Sequence, residues 1–386
     1  MSLLRPVAFC VLAFLTGGTQ AAELLRDQIK HVADAAVTPA MQKDDIPGVA
    51  VGITIGGKTY LFNYGVISRE IPQPVTDSTL FEIGSITKTF TATLASYAHV
   101  KGVLELSDTP GRYIPALRNT RFGAVSLLNL GTHTPGGLPL QVPERIKTID
   151  QLMRYLKEWR PACSPGTCRT YSNVSIGSLG YITALTLHND FAALLEDTLF
   201  PALRMTNSYV HVPRGRMQDY AQGYSVNGAP ARMSAGVLAL ETYGVRTTAA
   251  DMMRFVEANM EMAAIDAQVQ RAITDTHTGY FKVGSMTQDL VWEQYTWPVA
   301  LQPLLDGNSA DIMLKTVQVI PCLPPQAPRQ DVLINKTGST RGFGAYVAFV
   351  PHKHIGIVIL ANKSYPIADR IAIAYQILTT LDSMTH

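Results

Sequence analysis

The chain has 386 residues, enough for two ordinary domains or one large one. Apolar residues make up 47% and charged residues 16%, which excludes wholesale disorder and leaves room for a sizeable buried core. Lys and Arg number 32 against 30 Asp and Glu, a net charge of +2 without any basic block, so nothing in the charge points to nucleic acid. The chain opens on Arg5, an apolar run over residues 7–15, and small residues around Ala21 and Ala22. That pattern is a secretory leader, with residues 1–21 removed and the mature chain running over 22–386. The apolar run is too short for a stop-transfer helix, so export into an oxidising compartment, the periplasm, is expected, with no membrane attachment afterwards.

Residues 23–42 carry Leu25, Ile29, Val32 and Ala36 at helical spacing. Strands are expected at 49–55 and 59–66, joined by Gly56-Gly57 as a hairpin. Helices follow at 85–100, closed by Gly102, and at 149–159. Pro and Gly cluster at 134–143 and 161–166, which predicts two loops at the surface. A helical pattern resumes at 249–264. Short apolar runs at 332–336, 345–350 and 355–360 read as strands, the last covered on both faces, and a helix at 366–381 closes the chain. Strands at both ends with helices between predict an α/β fold: one antiparallel sheet flanked by helices, with an inserted, mainly helical lobe. The sheet lobe is placed at roughly 22–80 plus 285–386 and the helical lobe at roughly 81–284. A site then belongs in the seam between the lobes.

Four cysteines, Cys10, Cys163, Cys168 and Cys322, are too few for a disulfide scaffold and lack zinc-site spacing. His352-x-His354 has no carboxylate or thiol motif beside it, so a structural metal is not expected. Chemistry concentrates instead in three short motifs. Ser85-Ile86-Thr87-Lys88 puts a hydroxyl and an ammonium three residues apart at a helix start, where they share a face. A desolvated lysine can take a serine's proton, and the helix start offers N–H groups to an oxyanion. Tyr171-Ser172-Asn173 follows the second loop. Lys336-Thr337-Gly338 ends a strand, with a cation and a hydroxyl for a carboxylate and a glycine that lets a ligand approach the backbone. Singly, each motif reads more readily as a helix cap, a turn or a strand end than as a site. Their order and contexts together make a site.

In that order the motifs resemble those of the serine penicillin-recognising enzymes, whose sibling families share S-x-x-K and K-T-G. The chain is most similar to the class C β-lactamases. Residues 81–85 (FEIGS), 136–141 (GGLPLQ), 170–173 (TYSN), 243–245 (YGV), 284–286 (GSM) and 336–348 all look like landmarks of that family. The resemblance implies an acyl-ester on Ser85, with Lys88 and Tyr171 sharing proton traffic and Tyr171 activating the hydrolytic water. It further implies an oxyanion hole from the N–H groups of Ser85 and Ser339. Gln141 and Asn173 would hold the substrate's amide side chain, Tyr243 would flank it, and Lys336, Thr337 and Gly338 would face its carboxylate. The implied partner is a small β-lactam, a cephalosporin or penicillin, bound by a monomer.

Four departures from the family pattern stand out. Ser172 replaces an alanine, Ser364 and Ile367 replace two asparagines, and Arg341 replaces a neutral residue. Cys163 and Cys168 replace non-cysteine residues around a turn-forming Ser-Pro-Gly-Thr, and are expected to form a disulfide with Cys322 left free. The alternatives are a D-alanyl-D-alanine carboxypeptidase or esterase on the same scaffold, or a penicillin-binding sensor that stays acylated. Lys336-Thr337-Gly338 followed by Ser339-Thr340 favours the lactamase, and sensors are usually membrane-tethered.

Overall fold

The computed structural model describes residues 12–384, with side chains from Glu23 onward. The first eleven residues of the expected leader, Cys10 included, lie outside the described residues. Helix α1 (Leu12–Lys43) is longer than the expected 23–42 and runs unbroken through the expected cut site. It packs beside the last helix on one face of a nine-stranded sheet.

The sheet contains β1 (Gly48–Ile55), β2 (Lys58–Gly65), β3 (Gly279–Val283), β4 (Met286–Gln288), β5 (Glu293–Thr296), β6 (Ile320–Gln326), β7 (Val332–Ser339), β8 (Gly344–Val350) and β9 (Ile355–Ala361). Their order is β6-β3-β4-β5-β7-β8-β9-β1-β2, and every pairing is antiparallel. The two chain ends meet in the β1–β9 pair, with Val49 opposite Ala361. β9 is buried along its whole length, as its continuous apolar sequence requires of a central strand. The sheet also takes in β3, so its second chain segment begins at Gly279, ahead of the expected seam at 285. β6 has the sequence IPCLPPQ, whose prolines argue against a strand; it occupies a sheet edge, the place where missing N–H donors cost least.

On the other side of the sheet, helix α2 (Thr87–Val100) packs among α3 (Ile149–Glu158), α4 (Asn173–Thr186), the one-turn α5 (Ala239–Tyr243), α6 (Ala249–Asn259) and α7 (Ala267–Asp275), with α6 the helix laid on the strands. α6 stops five residues before the expected 264, where Glu261 turns into the left-handed region at φ 59°. It packs on β1 and β9 and so belongs to the sheet's wrapping as much as to the helical lobe. The closing helix α8 (Ile367–Met384) covers the opposite face with α1. Three apolar clusters result, one on each face of the sheet and a third inside the helical lobe around Leu130, Leu152, Leu156, Val174 and Leu179.

Candidate active site

The start of α2 is built to bring Ser85 against the edge of β7. Gly84 adopts φ 55°, which glycine tolerates, and Gly84–Ile86 form a tight 3₁₀ turn leading into the helix. A Cβ on Gly84 would collide with the backbone of Ser339, and one on Gly338 would collide with the carbonyl of Ile83. The two glycines therefore set how closely the serine turn and the strand approach. On the far side Arg370, 1% exposed, donates to the Gly338 carbonyl and the Ser339 hydroxyl, each at 2.7 Å, and also to the Tyr365 carbonyl. This guanidinium clamps the strand end.

Lys88 lies one turn below Ser85, fully buried, and donates to Ser85 Oγ at 2.8 Å and to the Thr242 carbonyl at 2.8 Å. Burial lowers its pKa, Lys336 lowers it further and Tyr171 pulls the other way, leaving it at about 8. Tyr171 stands across from it, hydrogen-bonded to Ser85. The ammonium groups of Lys336 and Lys88 lie 5.1 and 5.4 Å from its ring centre. Burial pushes the phenol up, but Lys336, Lys88 and the Ser85 hydroxyl outweigh it, and the pKa falls to about 8. A phenol and an amine with matched affinity for a proton thus flank one serine hydroxyl.

Ser85, Gln141, Tyr171, Asn173, Tyr243, Lys336, Thr337 and Ser339 line one cleft, with Leu140, Met313 and Ile367 on its walls. Of the residues expected at a site, Lys88 sits behind Ser85, and Gly338, within β7, does not line the cleft. Asn173 Nδ2 donates to Gln141 Oε1 at 2.7 Å, while Asn173 Oδ1 is buried without a protein partner and remains an acceptor. Ser172 caps α4 by accepting from the N–H of Ser175 at 3.1 Å and donates to the Pro139 carbonyl at 2.7 Å. Its hydroxyl ties the 134–143 loop to the Tyr171 segment, a bond that alanine cannot make. Arg341 is exposed; nothing in the structure explains that substitution.

Like Arg370, the residues Arg169, Glu293 and His133 carry no local sequence signature. Arg169 is buried and donates to Glu293 at 3.2 Å and to Gln288 at 2.7 Å, and Glu293 lies 3.6 Å from Lys336. The strand cation is therefore anchored by a carboxylate that is itself held by an arginine. His133, at φ 61°, lies with its ring centre 4.5 Å from that of Tyr171 and accepts from the Ser172 N–H at 3.3 Å. Burial, with Arg169, Lys88 and Lys336 nearby, holds its pKa well below the usual histidine value, so the imidazole is neutral. Cys163 and Cys168 form a disulfide with a Cα separation of 6.4 Å, and Cys322 is free, as expected. The bridged loop packs its Cys163 carbonyl on Gly136 and leads directly into Arg169. Among the described residues no group of three or more His, Cys, Asp or Glu could hold a metal ion.

A family model for β-lactamase matches residues 33–382. The chain is 48% identical over 354 residues to a β-lactamase of Pseudomonas fluorescens, covering 92% of this chain and 99% of that one. Among solved structures it is similar to a class C β-lactamase in complex with cefoxitin, at 49% identity and TM-score 0.90, with 92% of this chain and 99% of that one covered. It is also similar to a D-alanine carboxypeptidase, AmpC, from Burkholderia cenocepacia, at 52% identity and TM-score 0.88 over 92% of this chain and 99% of that one.

Proposed function

The chain belongs to the β-lactamase family, and from that membership we propose that it is a class C serine β-lactamase hydrolysing cephalosporins and penicillins. The observation that carries the reading is the Ser85 hydroxyl, bonded to Lys88 at 2.8 Å and to a Tyr171 phenol whose pKa is drawn to about 8. Ser85 Oγ attacks the lactam carbonyl carbon as its proton passes to the Tyr171–Lys88 pair. The carbonyl oxygen gathers negative charge against the N–H groups of Ser85 and Ser339. The C–N bond then breaks, the ring nitrogen takes the proton, and an ester on Ser85 remains. Tyr171, as phenolate, next draws a proton from water, whose oxygen attacks the ester carbonyl; the bond to Ser85 Oγ breaks, Oγ takes the proton back from Tyr171, and the ring-opened acid leaves. Lys336 and Thr337 face the carboxylate on the substrate ring, with Gly338 holding the strand close to the serine turn. Gln141 and Asn173 hold the amide side chain beside Tyr243. The substrate is a small molecule, the working unit a monomer and the site free of metal and organic cofactors.

The same machinery suits a D-alanyl-D-alanine carboxypeptidase, and the similarity to the Burkholderia enzyme favours keeping that second reading. The two differ in which acyl-ester water releases. A time course with a chromogenic cephalosporin and with a D-Ala-D-Ala peptide separates them. The lactamase reading expects sustained cephalosporin turnover after any burst; a stoichiometric burst without steady state, alongside peptide turnover, supports the carboxypeptidase. A leader over residues 1–21 and a periplasmic destination complete the proposal. Among the described residues no helix is long and apolar enough to cross a membrane.

A further inference from the structure

A second groove lies on the helical lobe, away from Ser85. Tyr181, Leu185, Phe191 and Leu240 give it an apolar lining, and Leu185 leaves 42% of its surface exposed there. Its charged lining residues among those described are carboxylates, Glu241 and Asp190, with no lysine or arginine. Glu241 is the unusual one. It is 9% exposed, and its carboxylate meets its own backbone N–H but no side chain, while its backbone carbonyl accepts from Thr91 at 2.6 Å. Gly180 of α4 makes room for it, because a Cβ there would stand 2.9 Å from both Cβ and Cγ of Glu241. Burial raises this carboxyl to about 7. A carboxylate held at the wall of an apolar groove with no cationic side chain beside it has room for a countercharge from outside the protein.

We propose that this groove binds an organic cation with an apolar body, its ammonium group against Glu241 and its hydrocarbon against Tyr181, Leu185 and Phe191. Charge complementarity favours this occupant, since nothing cationic of the protein's own meets Glu241. The site stands apart from the lactamase reading, but it reaches the catalytic groups through α5. Thr242, the next residue, supplies the carbonyl that Lys88 donates to, and Tyr243 lines the cleft. The titratable neighbours of the groove are Tyr181 and His188 from α4 and its end, Asp190, His211 and, on Glu241's own helix, Tyr243.

Calorimetric titration of the whole protein with benzyltrimethylammonium, with neopentylbenzene as the neutral shape match, tests the proposal. Saturable binding of the cation is expected at pH 8, weakening about tenfold at pH 6 as the carboxyl takes its proton. Glu241→Gln, which keeps the shape, should lose at least tenfold in affinity at pH 8 and most of the pH dependence. Amide shifts in NMR should map the probe to residues 181–192 and 240–241. Absence of saturable binding by the wild type, equal binding by a folded Glu241→Gln, equal binding of the neutral compound, or shifts confined to the Ser85 cleft would each overturn it.

Discussion

Tyr171 and Lys88 both titrate near 8 for opposite reasons: two ammonium groups pull the phenol down, and burial pulls the amine down. A phenolate base requires activity to rise with pH through about 8, the region where Tyr171 loses its proton. Lys336→Ala removes the cation that lowers Tyr171 most, so the phenol pKa rises and the rising limb of kcat moves to higher pH. The same change should weaken the use of carboxylate-bearing substrates. Tyr171→Phe should cut kcat by about 10²–10⁴-fold and abolish the limb. Steady-state pH profiles of the two variants check both outcomes; a Tyr171→Phe enzyme with unchanged kcat contradicts the assignment. At this scale the cleft residues were legible because serine, lysine, tyrosine and asparagine stand in compact motifs. Arg169, Glu293, His133 and Arg370 were not. Each is defined by a partner distant in the chain, Arg169 by Glu293 and Arg370 by Gly338, and a single sequence offers no local pattern for such pairs.

The turn before α2 and the end of β7 work as one element, since they touch through glycines rather than side chains. Gly338→Ala would drive a Cβ into the Ile83 carbonyl, a backbone atom that cannot swing aside. The strand must then retreat from Ser85 and widen the oxyanion hole. Loss of one oxyanion donor typically costs about 10²–10³-fold in kcat, so Gly338→Ala should lose at least that much in acylation, with a lower unfolding temperature. Stopped-flow acylation and thermal unfolding of the variant give the two numbers. Elements with strong periodicity, such as β1, β2, β9 and α2, could be seen in the sequence. β3 to β5 could not, being short strands between polar turns, and β6 hid behind its prolines. β5 is placed by pairing with β7, and β4, β3 and β6 follow it outward in turn, a tertiary fact.

Across the whole molecule, the sheet carries β7 while the helical lobe carries Tyr171 and Asn173, so catalysis depends on how the lobes meet. The Cys163–Cys168 bridge sits at that meeting, between Gly136 and the Arg169–Glu293–Lys336 chain. Closing so short a loop stabilises by roughly 2 kcal/mol on the chain-entropy estimate. The double variant Cys163→Ser/Cys168→Ser should therefore unfold at lower denaturant by about that amount, and retain Ser85 reactivity. Equilibrium urea unfolding of exported protein, with a free-thiol count of one in the wild type, checks it; a count of three contradicts the bridge.

The central claim is a covalent ester on Ser85 that water releases. Intact-mass analysis after brief exposure to a slowly hydrolysed β-lactam, followed by peptide mapping, tests it most directly. One adduct, on the peptide containing Ser85, absent from Ser85→Ala and disappearing with time in the wild type, is the predicted result. An adduct on any other residue, or undiminished turnover in Ser85→Ala, would contradict the account.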